Sequence, residues 1–133
     1  MPITDAMRAR HVVRQYLSTP LPDDVVSALR SRIEDNNRAH GTDIRLVTGD
    51  ARVFGPLWGT VRARSVRNCL IMSGPDAPDL DERLGYGGAD LMLAAQDLGL
   101  NTWWIGGTFS KRAAARVSGA TGRIVAEIGR AHV

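Results

Sequence analysis

Residues 101–109, NTWWIGGTF, carry the most chemical information in this chain. An apolar run with two tryptophans closes on Gly106 and Gly107, the pattern of a buried strand whose end lets another group approach its backbone closely. Backbone NH groups at a strand end have no ladder partner, so such a place suits a flat ligand that accepts hydrogen bonds. The second candidate is the arginine-rich stretch near the N-terminus, which includes Arg10 and Arg14.

Other chemistries are missing. His11, His40 and His132 are far apart, and neither Cys/His nor paired Asp/Glu spacing resembles a metal site. The segment Gly85-Tyr86-Gly87-Gly88 lacks the lysine of a phosphate loop, and no strand precedes a GxGxxG pattern. Ser65, Ser73, Ser110 and Ser118 do not sit in a recognisable nucleophile turn. If the chain is an enzyme, a cofactor carries the difficult step and the protein supplies binding, orientation and electrostatics.

These residues must be positioned by a domain of ordinary composition. At 133 residues the chain falls within the roughly 100 to 200 residues of one domain, so residues 1–133 read as a single unit. Apolar residues make up 44% and charged residues 23%, as in a soluble globular protein, and the apolar runs are too short to span a membrane. Residues 1–16 carry repeated arginines and no continuous apolar core, so they do not read as a signal peptide. Cys69 is the single cysteine and sits in the strand-like run Cys69-Leu70-Ile71-Met72, where it reads as a small apolar filler. With no second cysteine and no export signal, a reducing cytoplasm is expected. The net charge of +3 does not indicate nucleic-acid binding: every basic residue except Lys111 is arginine, scattered among acids. The one dense group, Arg62, Arg64 and Arg67, lacks interleaved aromatics.

Local signals predict alternating helices and strands. Thr4 or Asp5 caps a short helix to about Arg10, and the Pro20 to Pro22 region breaks the chain. A second helix follows, with Asp23 and Asp24 in its first turn and Leu21, Val25, Leu29 and Ile33 on one face, ending near Asn36-Asn37 before Gly41. Strands are expected at 44–48, 68–72, 102–105 and 123–128, and a short helical turn at 50–54. Residues 76–81 read as a polar loop before a long helix that starts at Glu82 or Tyr86 and ends at Gly99. Ser110 caps another helix, through Val117. The order is not one of clean parallel βαβ units, so the expected architecture is α+β: three layers, with a mixed central sheet flanked by helices.

Two segments in register resemble a known family. Residues 10–16, RHVVRQY, resemble the R-[RH]-S-x-[RK] opening of the nitroreductases, flavin-dependent oxidoreductases that use FMN. Residues 91–109, LMLAAQDLGLNTWWIGGTF, resemble the later block of that family, where a Leu- and Ala-rich helix ends in LGL and runs into a T-x-W-I-G-G strand. The resemblance covers nearly the whole chain and is closest to the TM-nitroreductase type, with its GYGG-like segment. It implies that Arg10 contacts the FMN phosphate, that Arg14 lies near flavin N1 and the C2 carbonyl, and that His11 borders the ribityl or phosphate edge. It also implies that the Gly106 NH donates to flavin N5, beside a wall of Trp104, Ile105 and Gly107. NAD(P)H as co-substrate, a small electron-poor acceptor such as a nitroaromatic or quinone, and a homodimer with flavin at its interface complete the implied picture. Since Trp103 and Trp104 point to opposite faces of a strand, at least one is expected to be core. Tyr86 is expected to anchor the start of the long helix.

The chain departs from the family pattern in three places. Val12 replaces the usual serine and removes a phosphate hydrogen bond, and the N-x-Q-P segment after the second helix is absent, with Asn36-Asn37-Arg38 in its neighbourhood. Both changes predict a lower flavin affinity. Family members also continue past a strand like 124–128, so the domain reads as C-terminally incomplete. Residues 128–133, IGRAHV, are what a common sequencing adapter would encode, and are expected to be a non-native tail of a gene fragment. The competing reading keeps Glu127-Ile128-Gly129 as native strand. The alternative function is a non-catalytic ligand-binding or regulatory domain on the same fold, or an inactive fragment.

Overall fold

A computed structural model describes residues 3–9, 20–49, 68–105 and 111–132, and of Ile3, Trp103, Ile105 and 126–132 the backbone only. The elements run α1 (Ile3–Ala9), α2 (Asp23–His40), β1 (Arg45–Val47), β2 (Cys69–Gly74), α3 (Leu80–Asp97), β3 (Leu100–Ile105), α4 (Lys111–Ser118) and β4 (Arg123–His132). The turn expected at 50–54, the Ser110 cap and the Arg62, Arg64 and Arg67 group lie outside the described residues.

The architecture is α+β, as expected, but the described sheet is not mixed. Its order is β1-β2-β4-β3, and every adjacent pair is antiparallel. Helix α3 does carry β2 over to a strand of the same direction, β3, as a helical crossover should. Strand β4 then inserts between the two and runs against both. The parallel relation survives only between strands that do not touch. Near the start of β4 the register slips between Met72, opposite Ala126, and Ser73, opposite Ile124, so Val125 is the extra residue of a bulge. Val125 packs against the core there.

Alternation along β2 assigns the layers. Leu70 and Met72 join one apolar cluster with Leu29, Ile33, Leu84, Leu91 and Ala95 from α2 and α3. Cys69 and Ile71 point the other way and are also fully buried, so both faces of β2 are covered. Arg45, opposite Ile71 in the register, shares that second face, and its Nη1 donates to the Ser118 carbonyl at the end of α4 over 3.0 Å. Helix α4, whose Ala114 is fully buried, therefore lies across the sheet from α3. Outside α3 lie α1 and α2, both packed on it.

Both long helices exceed their sequence-based limits for tertiary reasons. Helix α2 passes Asn36 and Asn37 because their amides, which could compete with helix backbone, find partners beyond it, although Asn36 also donates to the Arg32 carbonyl one turn back at 3.0 Å. Asn36 donates to Asp90 Oδ2 at 2.8 Å, while Asn37 accepts from the Ile44 NH at 2.8 Å and donates to the Ile44 carbonyl at 3.1 Å. The helix stops at Gly41, whose φ of 63° is the left-handed cap that glycine adopts without penalty. Arg83 Nη1 donates to the His40 and Gly41 carbonyls there, at 2.9 and 3.0 Å. Helix α3 begins at Leu80, inside the stretch expected to be loop, because Leu80 is fully buried in the core. The packing described below outweighs the weak helix propensity of its glycines.

Candidate functional site

Helix α3 carries the two elements that lead into the chemically interesting segments. Helix α1 packs against it and ends at Ala9, one residue before Arg10; β3 packs against it and ends at Ile105, one residue before Gly106. The two approaches meet at Met92. The Trp104 indole Nε1 donates to Met92 Sδ, and Met92 lines an apolar concavity of about 240 Å³ with Met7 of α1 and with Ala89 and Leu93. Met7 is 62% exposed at this rim.

The register explains why Trp104 faces α3. Trp104 lies opposite Ile128, which lies opposite Leu70, and Leu70 belongs to the cluster beneath α3. The indole settles over Gly88: a Cβ built on Gly88 would sit 2.7 Å from Trp104 Cζ2 and 3.0 Å from Met72 Cε, on strand β2. Glycine in mid-helix is unfavourable by roughly 1 kcal/mol relative to alanine, and here the close approach of the ring accounts for it. Trp104 is thus half-buried packing against the helix. Strand β3 is also the outermost of the described strands on its side, so its outer backbone edge has no ladder neighbour among them.

Of the residues the sequence nominated, Trp104 is described fully and Ile105 by its backbone, which pairs with Glu127. Arg10, His11, Arg14, Gly106 and Gly107 lie outside the described residues. Gly88 and Met92 were not nominated. Their signal is present in the sequence, as a glycine pair inside an otherwise helical run and a methionine one turn beyond it on the same face.

Two other concavities hold charged groups. One, of about 290 Å³ between α2 and α3, is bordered by Arg32, His40, Tyr86 and Asp90. Arg32 grips Asp90 with both prongs, Nε to Oδ2 at 2.7 Å and Nη2 to Oδ1 at 2.6 Å. The hydrogen bond from Arg32 holds the Asp90 carboxyl below the usual carboxylate range against partial burial, with Asn36 assisting, and the same bond raises Arg32. Asp90 is thereby committed as an acceptor and unsuited to take a proton from a substrate. Tyr86, 65% exposed, stacks beside His40 with ring centroids 6.2 Å apart. The other concavity, about 450 Å³, includes Asp43, Asp76 and Arg123, with Arg123 paired to Asp76 at 2.7 Å and to Asp81 at 3.2 Å. Among the described residues no group of three or more His, Cys, Asp or Glu is placed to hold a metal ion.

Residues 2–132 match the family described as "Putative TM nitroreductase". The chain belongs to this nitroreductase family. Solved nitroreductase structures share its fold. A protein from Desulfovibrio desulfuricans, described as a putative nitroreductase in complex with FMN, superposes with a TM-score of 0.72 at 18% identity, over 99% of this chain and 86% of that one. A putative NADH dehydrogenase/NAD(P)H nitroreductase from Parabacteroides distasonis gives 0.75 at 16%, over 99% and 87%. A nitroreductase with bound FMN from Bacteroides fragilis gives 0.75 at 14%, over 99% and 88%. No curated protein matches the chain. In this nitroreductase the described residues include no helix long and apolar enough to cross a membrane.

Proposed function

We propose that this nitroreductase binds FMN and works as an NAD(P)H-dependent oxidoreductase on a small electron-poor acceptor, in the cytoplasm and as a homodimer with the cofactor at the subunit interface. The observation that carries the reading is the meeting of α1 and β3 at Met92, which brings the stems of two segments about ninety positions apart in sequence onto one helix. Family membership and the FMN-containing relatives lend it support.

The residues fit such a group. A planar ring needs an approachable backbone edge, and β3 offers one as the outermost described strand, leading into Gly106 and Gly107. Arg10 would hold the phosphate through its guanidinium fork, which matches phosphate oxygens two at a time. Arg14 would supply a fixed cation to the flavin ring, favouring the charge that reduction brings. His11 would serve the ribityl or phosphate edge. The Gly106 NH would be the donor to N5, with Ile105 and Gly107 beside it. FMN, once bound, supplies the redox chemistry: a hydride taken from NAD(P)H and passed to an acceptor such as a nitroaromatic or a quinone, in a ping-pong cycle. The protein orients both substrates and needs no general base of its own.

The test is spectroscopic. The purified chain is mixed with FMN, freed of excess and titrated anaerobically with NADPH or NADH. Retained visible absorbance that bleaches on titration, and returns when a quinone is added, is the expected result. A chain that retains FMN without bleaching would be the non-catalytic binding domain, and one that retains none defeats the flavin reading for this chain.

A further inference from the structure

We infer that Gly88 and Met92 form a seat for the Trp104 indole, and that the seated tryptophan is a positioning residue that aims the end of β3 at the cofactor. The inference rests on the flavin reading above and reassigns Trp104 from the cofactor's wall to the support behind it.

Three observations converge on the seat. The Trp104 ring occupies the space a Gly88 side chain would fill, with its Cζ2 2.7 Å from where that Cβ would stand. Its one polar atom, Nε1, donates to Met92 Sδ on the same helix. Trp104 also lies two residues before Gly106 on a strand whose ladder partner, β4, touches one edge only. At such an edge the cross-strand bonds hold one side, and the outer side is steadied by what the side chains rest on. A ring wedged on a rigid helix therefore sets the tilt of the last strand residues, and a small misplacement of a donor near a reacting centre weakens it markedly. Met92 and Met7 line the same apolar concavity, so the seat borders the helix that leads to Arg10.

The test is a double-variant cycle on Gly88→Ala and Trp104→Phe. FMN dissociation constants and the midpoint potential of the bound flavin are measured well below the unfolding midpoint of each variant, alongside thermal unfolding. A methyl group added under a packed ring forces the ring to move, so Gly88→Ala is expected to weaken FMN binding about tenfold and to shift the potential. The indole atoms that crowd position 88 lie beyond the reach of a phenyl ring, so Trp104→Phe in the Gly88→Ala background should recover most of the affinity. On its own, Trp104→Phe should leave the chain folded by far-UV circular dichroism and still weaken FMN. Coupling in the unfolding data alone, with affinity and potential unchanged, would show a merely packed tryptophan and overturn the inference. Additive effects on affinity would overturn it as well. If the unsubstituted chain binds no FMN, the flavin reading falls and takes this inference with it, an outcome recognised before any variant is made.

Discussion

Helix α3 is used in opposite ways along its two seams. Toward α2 it presents charge: Asp90 takes both prongs of Arg32 and the Asn36 amide, and Arg83 reaches across to the last carbonyls of α2. Toward β3 and α1 it presents glycine, alanine and methionine, with Trp104 reaching Met92 across the seam. The charged seam spends its donors and acceptors on itself, which fixes the helix pair and leaves little to offer a ligand. The apolar seam holds β3 through a side chain, and the outer backbone edge of that strand has no ladder neighbour among the described strands. Polarity therefore marks the scaffold in this molecule, and the candidate site is marked by small residues and an approachable backbone.

The contrast makes separable predictions: changes in the scaffold should move stability and spare cofactor affinity, and changes at the site should do the reverse. The largest effect is expected from Leu91→Ala, which empties a fully buried position in the shared core. It should cost about 2–5 kcal/mol in urea unfolding while FMN affinity, measured far below the midpoint, stays within about twofold. Next comes Arg10→Ala, which removes a charge-assisted fork worth roughly 1.5–3 kcal/mol to a phosphate. FMN binding should weaken by about tenfold to a hundredfold with the melting temperature of the unliganded chain unchanged. A fall in melting temperature without a change in affinity would make Arg10 a helix-end residue and erase the contrast.

Asp90→Asn tests the charged seam at smaller scale. The pair is half-exposed on its Arg32 side, so about 1 kcal/mol is the expected cost near neutral pH. Its pH dependence has a definite sign. The folded carboxyl is held below the ordinary value of about 4, so its contribution is complete above that value and is lost as the pH falls through the lower, folded one. The stability gap between the unsubstituted chain and Asp90→Asn should therefore narrow in acid, and a gap that widens would show that Arg32 does not hold Asp90 ionised. The smallest effect belongs to Met92→Leu. Volume and apolarity are nearly kept and only the sulfur acceptor goes, so less than about 1 kcal/mol is expected in unfolding, with a measurable change in Trp104 fluorescence.

Much of this was legible before the fold was known, though unevenly. The apolar face of α2, with Leu21, Leu29 and Ile33 buried and Val25 packed beside them, follows from helical spacing alone. Gly41 and Gly99 mark where long helices end, with φ values of 63° and 82°. Asn36 and Asn37 misled the reading of α2, since their partners Asp90 and Ile44 lie on other elements. The start of α3 was expected at Glu82 or Tyr86 because 76–81 read as a polar loop, whereas Leu80 joins the helix through its burial in the core. At the site, the two segments were visible as motifs. Which tryptophan turns to the helix was left open, because alternation along a strand separates Trp103 from Trp104 without saying which face is covered.

The sequence by itself determined the elements, the family and the two segments that resemble a flavin site, because propensity, periodicity and motif spacing are carried by neighbouring residues. Only the tertiary structure decided that β4 slips between β2 and β3, that Asp90 is spent on Arg32, and that Trp104 rests on Gly88 and Met92. Each of those depends on residues far apart in the chain, and the free energy of such a contact exists only once folding has brought both partners to the same place.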